Sequence, residues 1–202
     1  MINQVFLNDI FRLAFALWFS LLQTSYFEVI IYVIIKVWYR KEIGDIFEMN
    51  IGFTIGKFAP LHKGHQQLIE KGLSENDEFY ILINDTNVTK IPLEIRANWL
   101  KELYPKAHVI LGKNPPMQYG LDEESIKIQT DYLKSIFKDI PVTNFYSSEE
   151  YGKYVARDLN VNNIHVEKNI PICSTDIRKD PEYNRIYMNN SVFKDFKIYH
   201  SA

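Results

Sequence analysis

Residues 50–65 read NIGFTIGKFAPLHKGH, and this stretch decides the fold that we expect. Its first seven residues are a short apolar run that ends in glycine, which is typical of a buried β-strand. The segment that follows carries a proline, two histidines and a second glycine, and helical spacing of apolar residues begins after His65. A strand, a tight loop and a helix in this order indicate the first unit of a parallel α/β sheet.

The rest of the chain repeats this alternation. Four further apolar runs predict strands at residues 78–83, 108–111, 143–146 and 163–166. Apolar positions at helical spacing predict helices at residues 65–73, from Pro92 to 103, at 123–137 and at 149–159, and a last helix capped by Ser174 and Thr175. About five strands separated by helices predict a Rossmann-like, doubly wound parallel sheet, in which ligands bind beyond the carboxyl ends of the strands.

Composition narrows the class of partner. The chain has 202 residues, with 23 Lys and Arg against 25 Asp and Glu, and its net charge is -2. This balance gives no overall positive field, so we expect no nucleic-acid partner. The single cysteine, Cys173, excludes an internal disulfide and is compatible with a reducing compartment. Nothing in the composition decides between a monomer and a homo-oligomer.

The apolar residues are concentrated at the beginning of the chain. Residues 13–35 read LAFALWFSLLQTSYFEVIIYVII, with Glu28 as the only charge. A helix of this length could cross a hydrocarbon layer of roughly 30 Å. We therefore predict two parts, an apolar helical extension at residues 1–48 and a globular domain at residues 49–202.

Three interpretations of the extension remain open. It could be a single-pass membrane anchor, and the basic residues that follow it would then leave the globular domain in the cytoplasm. It could be an upstream stretch absent from the working protein, since Met49 stands directly before the first predicted strand. It could be a buried or interfacial helix, because polar residues in mid-span such as Glu28 are costly in lipid.

The loop at residues 56–65 has the chemistry of a polyphosphate site. His62 and His65, three residues apart at a helix N-terminus, would present imidazole donors beside free backbone N–H groups. Gly56 would let the backbone approach a nucleotide, Gly64 would remove a Cβ where a phosphate packs, and Lys57 would add positive charge. The alternative is an ordinary turn with chance histidines, and the completeness of the ten-residue string favours the site.

A second motif lies at residues 172–178, which read ICSTDIR. The hydroxyls of Ser174 and Thr175 would form another anion cradle, and the Arg178 guanidinium could fork onto phosphate oxygens. Alone, the motif would be a capped helix with a surface arginine. Because it follows the fifth predicted strand, it falls at the same end of the sheet as the loop at residues 56–65, which we call the histidine loop. We therefore expect both motifs to contact one ligand.

Together the two motifs resemble those of the HxGH nucleotidyltransferase superfamily. Within it, GKFAPLHKGH is similar to the NadR-type and archaeal-type nicotinamide mononucleotide (NMN) adenylyltransferases, and YSSEEYG at residues 146–152 resembles a NadR-type segment. Ala59 stands where cytidylyltransferases and phosphopantetheine adenylyltransferases carry aspartate. The resemblance covers residues 50–185.

The resemblance implies an enzyme that transfers AMP from ATP to NMN, giving NAD and pyrophosphate, with Mg²⁺ carried on the ATP. It implies the catalytic residues Lys57, His62, His65 and Arg178. The ATP-binding residues that it implies are Gly56, Phe58, Gly64, Ser147, Ser148, Glu149, Ser174 and Thr175. No protein side chain is expected to act as a metal ligand.

The acceptor site is the open part of this prediction. By position, the resemblance places Arg96 and Tyr119 beside the acceptor, with a solvated helix arginine as the equal alternative for Arg96. The tryptophan-rich pattern of NadR-type loops is absent from residues 114–120. Adenylyl or cytidylyl transfer to another small phosphorylated acceptor is therefore an alternative. A function of another class, a membrane-tethered nucleotide sensor without strong catalysis, also stays open.

Overall fold

The computed structural model describes residues 49–118 and 120–200. The apolar stretch at residues 13–35 and the predicted acceptor residue Tyr119 lie outside these ranges, so the interpretations of the extension and its boundary at residue 48 stay predictions. Within the described part of the chain, no helix has the length and apolar character needed to cross a membrane.

Five parallel strands form one sheet. They are β1 (Ile51–Gly56), β2 (Glu78–Asn84), β3 (His108–Gly112), β4 (Asn144–Ser147) and β5 (Asn162–His165). Their order in the sheet is β3-β2-β1-β4-β5. The chain thus builds outward from β1 to β3 and then returns to the other side of β1, so the winding reverses between β1 and β4. The predicted doubly wound α/β fold is confirmed, and this reversal opens a crevice at the carboxyl ends of the two central strands.

Helices cover both faces of the sheet. They are α1 (Lys63–Glu75), α2 (Leu93–Leu103), α3 (Glu123–Ile136), α4 (Gly152–Leu159), α5 (Ser174–Lys179), a 3₁₀ turn (Tyr183–Tyr187) and α6 (Asn190–His200). Strand side chains alternate between the faces. Ile81 and Ile83 belong to the core shared with α1, α2 and α6, whereas Phe53 and Leu82 pack with residues of α3 and α4.

Four predicted helix starts differ from the structure. Helix α1 begins at Lys63 rather than at 65, and α2 begins at Leu93 with Pro92 as its N-cap. Helix α4 begins at Gly152 rather than 149, because residues 149–151 form a turn in which the Gly152 N–H donates to the Glu149 carbonyl. The N-cap of α5 is Cys173 rather than Ser174, and its side chain makes no capping hydrogen bond. The Ser174 hydroxyl bonds elsewhere, to the histidine loop.

Helix α6 was not predicted from the sequence. Its Val192, Phe193 and Phe196 are buried in the core. The indole N–H of Trp99 on α2 donates to Asp195 Oδ2 at 2.8 Å, which fastens α6 to the body of the domain. Next to His65, the Gln66 amide donates to Asn189 just before α6, at 2.7 Å.

Gly72, in the middle of α1, provides a test of this packing. In an exposed helix, replacing glycine with alanine stabilises by about 1 kcal/mol. Gly72 is buried, however, and an added Cβ would overlap the ring of Phe79, which is itself 1% exposed and cannot swing away. We expect Gly72→Ala to destabilise the fold by about 1–3 kcal/mol, measured by urea unfolding. Ser74→Ala, on the exposed side of the same helix, is the matched control and should change stability by less than about 0.5 kcal/mol. A stabilised Gly72→Ala protein would contradict the packing.

Candidate functional site

His62 caps the N-terminus of α1. Its backbone is extended, with φ −143° and ψ 169°, and its Nδ1 accepts a hydrogen bond from the Gly64 N–H at 3.2 Å. A ring nitrogen that accepts carries no proton, so the neutral imidazole must hold its proton on Nε2. The helix cap therefore sets the tautomer and makes Nε2–H of His62 a hydrogen-bond donor.

His65 lies one turn into the helix and stacks on His62. The two ring centroids are 3.7 Å apart and the planes differ by 24°. The ring of Phe58 meets His65 edge-on, at 5.0 Å between centroids. The Nδ1 atom of His65 is buried and has no hydrogen-bond partner in the described part of the chain. A buried polar atom without a partner is costly, and functional sites are a common reason for one.

Both histidines are neutral at physiological pH. Burial and, to a smaller extent, the positive charge of Lys168 lower the pKa of His62 to about 4. Burial also takes the pKa of His65 well below its usual value, with smaller contributions from His62 and Lys168. The pair therefore offers a phosphate group N–H donors rather than positive charges.

The two glycines of the loop make room for its own side chains. A Cβ on Gly64 would lie 3.1 Å from Cε1 of His62, and one on Gly56 would lie 3.0 Å from Cζ of Phe58. Phe58 itself has a left-handed backbone with φ 45° and is buried. The sequence predicts that these glycines allow a ligand to approach closely, and in the structure the groups nearest to an added Cβ are the His62 and Phe58 rings.

The second motif is bonded directly to the histidine loop. The Ser174 hydroxyl donates to the Pro60 carbonyl at 3.1 Å. Arg178 donates from Nη1 to the Ala59 carbonyl at 2.6 Å and from Nη2 to the Thr175 hydroxyl at 3.0 Å. The structure thus brings together the two motifs that lie about 110 residues apart in the sequence, as expected.

The third segment ends β4, the neighbour of β1 at the crevice. Ser147 is buried and its hydroxyl donates to the Glu149 carbonyl at 3.1 Å, which shapes the turn before α4. Ser148 is half-buried and Glu149 is exposed. The carboxylate of Glu149 lies 3.8 Å from the ammonium of Lys168. All three residues stand at the edge where the fold places ligands.

Arg96 is buried beneath this edge and bonds to the backbone. Its Nε donates to the Ile91 carbonyl at 3.1 Å, and its Nη1 donates to the carbonyls of Asn84, at 3.1 Å, and Lys57. Its Nη2 has no hydrogen-bond partner among the described residues and lies 3.5 Å from the Asp85 carboxylate. Arg96 therefore ties the ends of β1 and β2 together, and its contact with an acceptor stays a prediction.

Sequence reasoning missed Lys168, on the loop between β5 and α5. It is the charged side chain that acts on the pKa of both histidines. Its position between the last strand and the Ser174 motif was a usable signal, since that loop must start at the carboxyl edge of the sheet. Among the described residues, no three His, Cys, Asp or Glu side chains are grouped to hold a metal ion.

Comparisons with known proteins bear on the fold. No protein-family model matches the chain, and no curated protein matches its sequence. Among solved structures, it is similar to NadR in complex with NAD and AMP-PNP, with TM-score 0.56 and 23% identity over 73% of this chain and 47% of that one. NadR in complex with NR matches with TM-score 0.58 and 23% identity, over 73% of this chain and 45% of that one.

A second kind of protein matches equally well. A bifunctional NMN adenylyltransferase/ADP ribose pyrophosphatase from Francisella tularensis, complexed with AMP and a manganese ion, has TM-score 0.54 and 17% identity, over 76% of this chain and 50% of that one. The chain spans about half the length of these proteins. At identities below 25% the likeness shows the fold alone, and these proteins share the doubly wound α/β sheet described above.

The low pKa of His62 predicts a pH-dependent stability. In the unfolded chain this histidine takes up a proton as the pH falls below about 6.5, whereas in the fold it stays neutral down to about pH 4. The unfolded state therefore binds more protons in this window, and wild-type stability should fall by on the order of 3 kcal/mol from this group between pH 6.5 and 4.

The variant that isolates this effect is His62→Asn, which keeps a capping side chain. We expect its free energy of unfolding, from urea titrations at several pH values, to fall less steeply than that of the wild type between pH 6.5 and 4. Ser74→Ala, which adds and removes no titrating group, should run parallel to the wild type. Parallel curves for His62→Asn and the wild type would contradict a neutral, buried His62.

Proposed function

We propose that this chain is an adenylyltransferase that joins the AMP group of ATP to NMN, releasing NAD and pyrophosphate. The observation that carries the proposal is the stacked, neutral pair of His62 and His65 at the N-terminus of α1, bonded through its loop to the Ser174–Arg178 motif. This arrangement lies at the crevice where the sheet order reverses, which is the ligand-binding place of doubly wound sheets.

The reaction requires positioning and charge stabilisation. The phosphate of NMN attacks the α-phosphorus of ATP, the bond to the β-phosphate oxygen breaks, and pyrophosphate leaves with the bonding electrons. No protein nucleophile is involved. Negative charge grows on the α-phosphate oxygens during the attack, and the Nε2–H of His62 is already oriented to donate to them. His65 would place its ring beside the same group.

The leaving pyrophosphate would be held by the second motif. Arg178 has five N–H donors and uses Nη1 and Nη2 for single bonds to the loop and to Thr175, so further donors remain for phosphate oxygens. Ser174 and Thr175 would bond the same phosphates through their hydroxyls, and Lys57 would add positive charge at the end of β1. Mg²⁺ would enter as part of the substrate MgATP.

NMN is proposed as the acceptor because structural neighbours act on or bind nicotinamide nucleotides and their relatives. One NadR structure contains NAD and another contains NR. Residues 113–118 follow β3 at the carboxyl edge, with Asn114 in the left-handed region at φ 51°. This loop is our candidate for the acceptor side of the crevice, with Tyr119 and Arg96 as the predicted contacts.

The direct test uses the full-length protein with MgATP and NMN, following NAD and pyrophosphate together. We expect equal amounts of both products and no dinucleotide when CTP replaces ATP. Pyrophosphate without NAD in the presence of another phosphorylated acceptor would keep the chemistry and change the acceptor. Nucleotide binding without pyrophosphate release for any acceptor would favour a nucleotide sensor.

His65→Ala should reduce kcat by about 100-fold or more, as the loss of one transition-state donor does in other enzymes. The matched control is His108→Ala, since His108 is an exposed histidine at the opposite end of the sheet. It should retain near-wild-type turnover. Circular dichroism would verify that both variants are folded. A His65→Ala enzyme with near-normal kcat would remove His65 from the chemistry.

A further inference from the structure

The loop at residues 166–173 lies along the first turn of α1. On one side of Lys168, the Gln67 side chain of α1 donates to the Glu167 carbonyl at 3.3 Å. On the other side, a methyl carbon of Ile172 lies 3.8 Å from the Cβ position of Gly64. The loop is thus bonded to α1 next to Lys168, and its other end lies close to Gly64, so Lys168 is held beside the helix that carries the histidine pair.

The partner of Lys168 in the structure is Glu149. The two charged groups are 3.8 Å apart, and their side chains are 60% and 73% exposed. Water screens such a pair, so it contributes little to stability and breaks easily. Glu149 belongs to the turn after β4, whereas the histidines stand after β1. Lys168 therefore lies between a weakly held carboxylate and a site built to receive phosphate.

The histidine pair does not neutralise the negative charge of a bound polyphosphate. His62 and His65 are neutral and supply hydrogen bonds without positive charge, so the charge of a triphosphate must be balanced by Lys57, Arg178 and any further cation beside the site. A lysine on a flexible four-carbon stem can reorient without moving the backbone. Its ammonium is attracted more strongly by a polyphosphate than by one exposed carboxylate.

We propose that Lys168 is a nucleotide-phosphate ligand that Glu149 holds in the absence of ATP. When ATP binds, the Lys168 ammonium leaves the Glu149 carboxylate and pairs with the β- or γ-phosphate beside the histidines. The inference rests on the proposed function and adds to it one cation and an exchange of partners. Because Glu149 competes for this cation, it weakens ATP binding, and it does so without affecting ligands that lack the outer phosphates.

The test compares ATP and AMP binding to the full-length protein by isothermal titration calorimetry. Lys168→Ala should weaken ATP binding by about tenfold, as expected for the loss of a charge-assisted contact, and should change AMP binding by less than about twofold. Lys168→Arg should restore most of the ATP affinity. The matched control is Lys153→Ala, because Lys153 is an exposed lysine that pairs with Glu150 on the same turn, and it should bind both nucleotides like the wild type.

A second variant tests the exchange itself. Glu149→Gln should release Lys168 and tighten ATP binding by about two- to fivefold, whereas Glu150→Gln should leave the ATP affinity unchanged.

A titration followed by NMR without nucleotide tests the position of Lys168. Lys168→Ala should raise the pKa of His62, since it removes a nearby positive charge, and Lys153→Ala should leave that pKa unchanged. All these side chains are exposed, so the variants should unfold at the wild-type temperature.

The outcomes separate this inference from the proposed function. A wild-type protein that binds no ATP would overturn the proposed function and this inference with it. If the wild type binds ATP and Lys168→Ala binds it equally well, the inference alone is overturned. An equal loss of ATP and AMP affinity would contradict a contact with the outer phosphates, and weaker ATP binding by Glu149→Gln would contradict the exchange.

Discussion

The candidate site depends on a set of hydrogen bonds to three carbonyl groups of the loop between β1 and α1. Arg96 donates to the carbonyl of Lys57 from beneath the sheet edge, and Arg178 donates to that of Ala59 from the opposite motif. Ser174 adds a bond to the next carbonyl, that of Pro60. Hydrogen bonds from charged donors are stronger than those from neutral ones. In this loop, two arginines donate to carbonyl groups within five residues of His62. The orientation of both imidazoles follows from this support, because the loop determines where α1 begins.

In the candidate site, the neutral histidines supply directed hydrogen bonds and other residues supply positive charge. A single cationic residue would have to supply both. A buried, protonated imidazole would lack compensation when no ligand is bound, since the lysine charge that acts on both histidines, that of Lys168, is positive. Keeping the imidazoles neutral avoids that cost and still provides directional N–H donors. The positive charge is then carried by longer side chains that water can reach, such as Lys168. Geometry and charge are therefore supplied by different residues, and only the geometry requires a rigid, buried environment.

Sequence patterns predicted the sheet because its five strands are short apolar runs, and they predicted the pairing of the two motifs because parallel strands end at one edge. Sequence patterns did not predict the hydrogen bonds that side chains make to backbone groups far away in the sequence. Ser174 was expected to cap a helix, but its hydroxyl donates to the Pro60 carbonyl. Arg96 was expected either beside the acceptor or on the solvated face of its helix, but it is buried and donates to three backbone carbonyls. Lys168 was not predicted, because its position between the last strand and the Ser174 motif is the only feature of the sequence that sets it apart from other exposed lysines. Helix α6 could have been predicted, because Val192, Phe193, Phe196 and Tyr199 have the spacing of one helix face.

The contact between Trp99 and Asp195 has a practical consequence. The chain contains three tryptophans, at positions 18, 38 and 99, so Trp99 is the only one in residues 49–202. Its indole lies in the core, and the indole N–H donates to the Asp195 carboxylate of α6. Just before α6, Asn189 accepts a hydrogen bond from Gln66, the neighbour of His65. In residues 49–202 on their own, the intrinsic tryptophan emission would come from this one indole. The domain thus carries a natural fluorescent reporter for the docking of its C-terminal helix, one that needs no added label.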